Sequence, residues 1–371
     1  MTASPPYVVT PGTVRTSPFL KRDGDRVVEL VTGRSYVLAA PEVELLDTFA
    51  EARVDHELGD EVRRLRDRLL LLDATALVSI GALALGTLDL EAAGSCNAEC
   101  VFCPRDELRH GRGVGMMRAE TFARVLEVFG PYLRFVGFAG IGEPTLNKAL
   151  PTWIRELRAR RIDAALVTNG SFLTPVLIAS LLDAGVSSVQ VSFNGHDESS
   201  RTSYEIQMAG LDYTTTRANV EQLLVAARGR VPVYVSAVET TANAAELAGF
   251  VEFWRARGAE AGVVQCHSRG GTIVELRRAP RPSDQAVPRC GLFATRSFVS
   301  WDGRVLACCH DVDAETTLGD VMTDDAATII ARKLTVMRDA KWYPICRGCD
   351  EPAARMTISP DAVRAARRPA G

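Results

Sequence analysis

The chain has 371 residues, which is too many for one small domain and enough for a barrel-sized core with smaller units attached. Hydrophobic residues make up 47% of it and charged residues 24%, as in ordinary soluble globular proteins. The net charge of −3 gives no electrostatic reason to expect a nucleic-acid partner. The chain starts without the basic and apolar segments of a secretory signal, so we expect a cytoplasmic protein whose nine cysteines are reduced.

Residues 1–82 are predicted to form a small α+β module. The run RVVELVTGRSYVLAA contains two β-prone stretches joined by TGRS, which indicates a hairpin. PEVELLDTFAEARV and HELGDEVRRLRDRLLLL follow with helical spacing, so we expect a winged-helix-like unit. The apolar stretch from Leu69 to Gly86 contains Asp73, which favours a buried segment over a membrane span.

Residues 83–280 alternate short apolar runs with amphipathic helices. Six such β/α units predict a parallel sheet covered by helices, with the chemistry placed where the strands end. A closed barrel would need eight units. We therefore expect an α/β fold with a partial (β/α)6 TIM-like barrel.

Residues 281–352 contain five cysteines and little helical pattern before DDAATIIARKLTVMRDAK. This composition predicts a small cysteine-rich domain, nucleated by metal and appended to the barrel. Residues 353–371 are predicted to be a basic tail.

Three cysteines, Cys96, Cys100 and Cys103, lie in the segment GSCNAECVFCPR, directly after the first predicted barrel strand. Structural zinc usually takes four ligands from two paired knuckles, and no second pair lies nearby in the sequence. Three thiolates on one loop suit an iron–sulfur cubane that leaves one iron open to a further ligand.

The pattern Cys-x3-Cys-x2-Cys after the first strand of a partial barrel resembles the radical S-adenosylmethionine (SAM) enzymes. The resemblance implies that Cys96, Cys100 and Cys103 bind a [4Fe–4S] cluster whose fourth iron is chelated by SAM. Reductive cleavage of SAM would then give a 5′-deoxyadenosyl radical that abstracts a substrate hydrogen. Phe102 occupies the position at which the family usually has an aromatic residue near the adenine.

Polar residues at the ends of later strands are the other cofactor-binding candidates. GIGEP ends the second strand and resembles the family's Gly-Gly-Glu motif, which implies that Glu143, next to Gly142, meets the SAM ammonium. Further contacts to SAM are expected from six residues: Thr168, Asn169, Ser192, Asn194, Arg201 and Ser236. Such residues also form turns, caps and solvated loops, so a purely structural role stays open for each.

The C-terminal cysteines resemble the auxiliary-cluster region called SPASM, or its shorter form, twitch. A hairpin at WDGR would bring Cys290 and Cys308 together, and Cys346 and Cys349 would complete the site. The resemblance implies one auxiliary [4Fe–4S] cluster with four protein ligands, which favours electron transfer. Cys309 is an alternative to Cys308, and a zinc ribbon is an alternative use of the site.

Cys266 ends the sixth predicted strand and is the candidate catalytic residue. By resemblance to radical SAM epimerases, its thiol would return a hydrogen atom to a substrate radical. The alternative is a small buried core residue. His267 and Arg269 follow it and are candidates for orienting a substrate.

The N-terminal module resembles the peptide-recognition winged helix of enzymes that modify ribosomally made peptides. This implies a precursor peptide as substrate, crosslinked or epimerised in natural-product biosynthesis. The alternatives are a small-molecule dehydrogenase or epimerase acting on an aminocyclitol or sugar, and a non-catalytic iron–sulfur or zinc protein. The family resemblance also implies a flavodoxin or ferredoxin as electron donor, and we expect no membrane partner.

Overall fold

The computed structural model describes residues 12–54, 59–271, 273, 290–339, 343–347, 349–351 and 356–366. The predicted domain limits near residues 280 and 353 lie outside these described residues. Among the described helices, none combines the length and apolar character that crossing a bilayer requires.

The N-terminal module contains two small antiparallel sheets and two short helices. Its elements are β1 (Thr13–Thr16), β2 (Leu20–Asp23), β3 (Arg26–Glu29), β4 (Arg34–Val37), α1 (Ala40–Thr48), β5 (Arg53–Val54), α2 (Asp60–Asp67) and β6 (Leu71–Leu72). The predicted hairpin is formed by β3 and β4, with β2 on the other side of β3. Strand β1 lies between β5 and β6, and a separate cluster of apolar residues forms the core of the module.

Helix α3 (Ala74–Leu85) connects this module to the barrel and crosses the predicted domain limit at residue 82. Asp73, the charge that interrupts the apolar stretch, caps the helix by accepting the Ala76 N–H at 2.7 Å and pairs with Arg66. Residues 79–85 of the helix are buried, as the sequence predicts. The apolar stretch is therefore a capped core helix.

The barrel follows, with its strands and helices alternating along the chain. Its elements are β7 (Thr87–Leu90), β8 (Glu99–Cys100), α4 (Arg105–His110), α5 (Ala119–Phe129), β9 (Phe135–Phe138), α6 (Leu150–Ala159), β10 (Asp163–Thr168), α7 (Pro175–Ala184), β11 (Ser188–Ser192), α8 (Arg201–Gln207), β12 (Met208–Ala209), α9 (Tyr213–Ala227), β13 (Val233–Glu239), α10 (Phe250–Arg255) and β14 (Glu260–Gln265). Strands β7, β9, β10, β11, β13 and β14 are parallel neighbours in that order. The predicted partial barrel of six units is confirmed, and it is not closed.

Alternation along the barrel strands separates a packed face from an accessible one. In β11, Val189 and Val191 are fully buried, whereas Gln190 is exposed and Ser192 is half-buried. Strand β13 repeats this pattern in register, with Ser236 opposite Ser192. The accessible face is therefore the one that carries polar side chains.

The strands of the cysteine-rich region continue the barrel sheet. Its elements are α11 (Gly291–Thr295), β15 (Ser297–Val299), β16 (Arg304–Leu306), β17 (Thr317–Asp320), α12 (Ala326–Asp339) and α13 (Pro344–Arg347). Strand β15 pairs in parallel with β7, and β16 and β17 continue the sheet antiparallel, which gives nine strands in the described part of the chain. The hairpin predicted at WDGR is present, with Gly303 at φ 98° in its turn.

Residues 356–366, within the predicted basic tail, are docked on the N-terminal module. They contain helix α14 (Pro360–Ala365), whose Val363 is fully buried and which packs on α3. The Ile358 N–H donates to the Thr32 carbonyl at 2.8 Å, and Nη1 of Arg364 donates to the Asp67 carbonyl at 2.7 Å. The apolar side chains within this basic segment pack against the core and hold the segment in place.

Candidate active site and auxiliary cysteine site

The three cysteines of the first loop lie between β7 and the start of α4, and all nine cysteines of the chain are free thiols. The Cys103 N–H donates to the Cys100 carbonyl at 3.0 Å, which closes a tight turn. Burial raises the pKa of Cys100, and the charges of Cys103 and Cys96 raise it further, so the three thiols lie within electrostatic reach of one another. Three soft sulfur donors on one loop fit an iron–sulfur cluster.

The Glu143 carboxylate is buried beside this loop, with the residue only 2% exposed. It accepts hydrogen bonds from the Thr145 N–H at 3.0 Å, the Thr168 hydroxyl at 2.7 Å and the Asn169 N–H at 2.7 Å. Burial raises the pKa of Glu143, while these bonds act to lower it. Because all of these donors are uncharged, the negative charge of the carboxylate is available to a ligand cation such as an ammonium.

Close packing of the strand ends holds the carboxylate in this position. A Cβ atom on Gly142 would lie 2.0 Å from the Ala93 carbonyl oxygen, so the backbone there requires glycine. Nδ2 of Asn169 lies 3.0 Å from Oδ1 of Asn97 and 3.9 Å from Sγ of Cys96. The structure thus brings the predicted residues of the second and third strand ends together beside the first cysteine loop.

Two further residues of the loop region are buried. Phe102 is 7% exposed and belongs to the main apolar core. Arg105 donates to the Ala98 carbonyl, and its charge opposes the rise that burial causes in the pKa of Cys96 and of Cys100. Sequence analysis missed Arg105, because an arginine at the start of the charged segment RDELRH resembles an ordinary surface residue.

Asn194 and Ser236 are engaged by protein groups. Nδ2 of Asn194 donates to Oε1 of Gln207 at 3.2 Å and to the Val238 carbonyl at 3.0 Å, which uses both amide protons. Asn194 therefore anchors the end of β11 and offers no further donor to a ligand. Ser236 accepts from Nε2 of Gln190 at 3.0 Å and lies in the middle of β13, not at its end as predicted.

Ser192 and Arg201 occupy different surroundings. Ser192 is the last residue of β11 and remains on the accessible face of the sheet. Arg201 begins α8, forms an ion pair with Glu198 and lies over the ring of Tyr213. Its side chain is therefore held in a surface ion pair and is not brought to the cysteine loop by any described contact.

All five C-terminal cysteines line one cavity of about 70 Å³. Burial raises the pKa of Cys346 to about 12 and that of Cys349 to about 11, with the charge of Cys290 adding to both. A hydrogen bond with Cys309, burial and the charge of Cys290 raise the pKa of Cys308. Cys290 is thus the common neighbour of the other three predicted ligands.

Cys309 has different neighbours. A hydrogen bond with Cys308 lowers the pKa of Cys309, and His310 and Arg269 act in the same direction. The sulfur of Cys308 accepts the His310 N–H at 3.4 Å, and the sulfur of Cys290 accepts the Phe293 N–H at 3.4 Å. Both Cys308 and Cys309 line the cavity, so the choice between them as the fourth ligand stays a prediction, and the thiols present fit an iron–sulfur cluster.

The loop after β14 is attached directly to the last cysteine pair. The Ser268 N–H and hydroxyl donate to Oδ1 of Asp350 at 2.9 and 2.6 Å. A Cβ atom on Gly270 would lie 2.3 Å from the Ile345 side chain, which shows how closely the two segments approach. The loop at the end of the barrel is therefore in direct contact with the auxiliary site.

A polar cluster of His267, His310 and Glu351 occupies this junction, with ligating atoms within 4.8 Å of one another. Burial, together with Arg269 and His310, lowers the pKa of His267 to about 3, so its ring is neutral near pH 7. Nη1 of Arg269 lies 3.3 Å from Nε2 of His310. Because a guanidinium already supplies a cation there, we assign the cluster to hydrogen bonding and not to a further metal ion.

Cys266 lies immediately before this cluster and is 7% exposed. Its N–H donates to the Glu239 carbonyl at 2.8 Å, and its sulfur is 3.8 Å from the His267 carbonyl oxygen. The thiol therefore lies at the end of the last barrel strand, next to the auxiliary site. Its role as a hydrogen-atom donor stays a prediction.

A buried ion pair lies between the first cysteine loop and the hairpin of β15 and β16. Glu91, just after β7, and Arg112 have fully buried side chains 2.8 Å apart. Glu91 also accepts the N–H groups of Ile141 at 3.2 Å and Trp301 at 3.4 Å. The Trp301 ring fills the space beside Gly94, where a Cβ atom would lie 2.5 Å from it. The hairpin of β15 and β16 thus packs directly on the start of the first cysteine loop.

Two family models match these regions. A model described as the radical SAM superfamily matches residues 90–238, and SPASM, described as an iron–sulfur cluster-binding domain, matches residues 290–350. The chain carries a radical SAM domain and a SPASM domain. These domains imply a [4Fe–4S] cluster with SAM in the first and an auxiliary iron–sulfur cluster in the second.

A part of the chain is similar to parts of three curated proteins. A tungsten-containing aldehyde ferredoxin oxidoreductase cofactor-modifying protein of Pyrococcus furiosus is 32% identical over 110 residues, 29% of this chain and 30% of the relative. A probable GTP 3′,8-cyclase of Metallosphaera sedula is 33% identical over 102 residues, 27% of this chain and 31% of the relative. The PqqA peptide cyclase of Rhodopseudomonas palustris is 32% identical over 109 residues, 29% of this chain and 28% of the relative. The chain thus spans about 30% of the length of the curated relatives it matches.

Two solved structures share the fold over a larger part of the chain. SuiB of Streptococcus suis bound to precursor peptide SuiA is 13% identical, with a TM-score of 0.56 over 93% of this chain and 89% of SuiB. BtrN in complex with AdoMet and 2-DOIA is 18% identical, with a TM-score of 0.50 over 74% of this chain and 96% of BtrN. At these identities the likeness shows the fold of the radical SAM and SPASM domains and nothing more.

Proposed function

We propose that the protein is a radical SAM enzyme that crosslinks or epimerises a ribosomally made precursor peptide. The observation that carries catalysis is the placement of three cysteines without disulfide bonds beside the buried carboxylate of Glu143, whose protein donors are all uncharged. When bound, the cluster and SAM supply a 5′-deoxyadenosyl radical that removes a hydrogen atom from the substrate.

Each group of residues has a separate role in this proposal. Glu143 binds the ammonium of SAM, and Thr168 and the backbone of Asn169 hold its carboxylate in position. The first three cysteines ligate the SAM-binding cluster. Cys290, Cys308, Cys346 and Cys349 would hold the auxiliary cluster, which would supply one-electron transfer. A reduced flavodoxin or ferredoxin is the proposed external donor.

The peptide assignment is supported by a free sheet edge in the N-terminal module. Strand β4 has β3 on one side only in the described sheet, and Val37 on it is 70% exposed. The Leu38 N–H donates to the Asp25 carbonyl on the β3 side. Because backbone groups alternate along a strand, the N–H groups of Ser35 and Val37 point away from β3 and are available to an added peptide strand.

The extent of the fold likeness also favours a peptide substrate. The match to SuiB, whose structure contains a bound precursor peptide, covers 93% of this chain and must therefore include part of the N-terminal module. The match to BtrN, bound to a small molecule, covers 74%.

The direct test is incubation of the anaerobically reconstituted protein with SAM, a reductant and peptides synthesised from the short reading frames that neighbour its gene. We expect 5′-deoxyadenosine together with a changed peptide. Loss of a pair of hydrogens would indicate a crosslink, and deuterium uptake from heavy water without other mass change would indicate epimerisation. Oxidation of an aminocyclitol or sugar with an unchanged peptide would contradict the substrate assignment and leave the radical chemistry standing.

The sheet edge is tested by Ser35→Pro, which removes one outward N–H and leaves the bonds to β3 in place. We expect weaker peptide binding by fluorescence anisotropy and unchanged 5′-deoxyadenosine formation without peptide. Ser35→Ala is the matched control, since it alters the side chain and keeps the N–H. Equal peptide affinity of both variants, each folded by circular dichroism, would rule out this edge as the docking site.

Cys266→Ala separates the two peptide reactions. If the product is an epimer, the variant should still form 5′-deoxyadenosine but lose the epimerised product, because no thiol then returns a hydrogen atom. If the product is a crosslink, the variant should retain it. Chiral amino-acid analysis after hydrolysis gives the answer, and wild-type epimer yield from the variant would exclude Cys266 as the donor.

A further inference from the structure

Lys333, in the middle of α12, is 0% exposed. Lysine is among the residues least often fully buried, because its ammonium loses hydration there. The sequence pattern of this helix does not distinguish Lys333 from an exposed lysine. Its burial therefore calls for a compensating interaction.

The hydrogen bonds of Lys333 define its charge state. Nζ donates to the Ala84 carbonyl at 2.8 Å, to the Arg296 carbonyl and to the Ser297 hydroxyl oxygen at 3.1 Å. The Ser297 hydroxyl donates its own proton to the Ala84 carbonyl at 3.0 Å, so it must accept from Lys333. Three acceptors require three N–H donors, and only the charged ammonium has three.

The ammonium has no carboxylate partner among the ion pairs of the described residues. Burial lowers the pKa of Lys333 to about 7, and the charge of Cys290 acts in the opposite direction. Nζ also lies 5.2 Å from the centre of the Phe293 ring. Phe293, Arg296 and Ser297, which contact Lys333, also line the cavity of the C-terminal cysteines. Cys290, which lines this cavity, is the negative group whose charge acts on Lys333, whereas the Asp89 carboxylate on the same cavity is paired with Arg296.

We propose that Lys333 is the buried counter-charge of the auxiliary cluster and raises its reduction potential. The inference rests on the proposed assignment of Cys290, Cys308, Cys346 and Cys349 to that cluster. Reduction would add one electron to the cluster, and no covalent bond forms or breaks. Because a nearby positive charge in a low-dielectric interior favours the more negative state, Lys333 makes the cluster a better electron acceptor from the substrate radical.

The test is a potentiometric titration of the auxiliary cluster, followed by electron paramagnetic resonance. The full-length chain with Cys96, Cys100 and Cys103 all changed to alanine isolates the signal of that cluster. In this background, Lys333→Met should lower the midpoint potential of the auxiliary cluster by at least about 59 mV. For a one-electron couple, a shift of this size raises the ratio of oxidised to reduced cluster at a fixed potential tenfold. Arg332→Met is the matched control, because this neighbouring side chain is half-exposed, pairs with Asp324 and should leave the midpoint unchanged.

Lys333→Gln tests whether the effect of Lys333→Met arises only because the buried carbonyls lose their hydrogen-bond donors. It removes the charge and keeps two N–H groups for those carbonyls, and it should also lower the midpoint. An unchanged midpoint in either variant, with full iron content, overturns the role of Lys333 and leaves the cluster assignment intact. If the parent chain binds zinc or no metal at this site, both the cluster assignment and the role of Lys333 are wrong.

Discussion

The two cysteine sites differ in ligand number, enclosure and surrounding charge. The first has three thiols on a loop, beside a carboxylate and an arginine whose charges oppose each other. The second has five thiols around one cavity and a buried ammonium without a carboxylate partner in the described structure. This contrast fits the proposed roles, in which the first site binds an exchangeable charged ligand and the second transfers an electron.

Removing the ligands of each site should give the largest effects. With Cys96, Cys100 and Cys103 changed to alanine, we expect no detectable 5′-deoxyadenosine, because no cluster remains to bind SAM. With Cys346 and Cys349 changed to alanine, SAM cleavage should continue and the substrate product should be lost. Chromatography of the nucleoside and mass spectrometry of the peptide measure the two outcomes. Loss of SAM cleavage in the second variant, with the first cluster retained by iron analysis, would contradict the division of roles.

Loss of the buried ion pair between Glu91 and Arg112 should have the next largest effect. Arg112→Met leaves Glu91 buried without its partner, which typically costs about 3–5 kcal/mol. We expect a lower thermal midpoint by differential scanning calorimetry and loss of both clusters together. Arg109→Met is the control, because that side chain is 43% exposed and its ion pairs contribute at most about 1 kcal/mol. Independent loss of only one cluster would show that the sites are not joined through this pair.

Glu143→Gln should weaken SAM binding selectively. Removing the charge deletes one charge-assisted bond of about 1.5–3 kcal/mol, which corresponds to roughly 10- to 100-fold weaker binding. The new amide would also oppose the Asn169 N–H, so stability must be measured beside affinity. Equilibrium dialysis with labelled SAM gives the affinity, and Glu156→Gln on the outer surface of α6 is the control. Unaltered SAM affinity would remove Glu143 from the ammonium site.

Asn169→Ala should have the smallest effect. Its Nδ2 is 3.9 Å from Sγ of Cys96, and a weak neutral donor to a cluster sulfur raises the potential only slightly. We expect the midpoint of the first cluster to fall by less than that of the auxiliary cluster falls in Lys333→Met. Spectroelectrochemistry of both variants gives the comparison. A larger shift from Asn169 would mean that a hydrogen bond outweighs a buried charge in this protein.

Local patterns predicted the elements that carry the site. The six barrel strands follow from short apolar runs ending in Gly, Asn or Ser, and the WDGR hairpin follows from its turn residues. The position of Glu143 was predictable because parallel strand ends meet at one edge of a sheet. The hydrogen bonds of Asn194 and Ser236 were not, because their partners Val238 and Gln190 come from other strands.

By itself, the amino-acid sequence determined the β/α order, the spacing of both cysteine groups and the family resemblance, because each depends on residues close together in the chain. The tertiary structure decided that β15 joins β7, that residues 356–366 dock on the N-terminal module and that Lys333 is buried. These features depend on contacts between distant segments, such as Lys333 with Ala84, 249 residues apart. No local pattern encodes such a contact, because its energy arises only when the whole sheet has brought the two segments together.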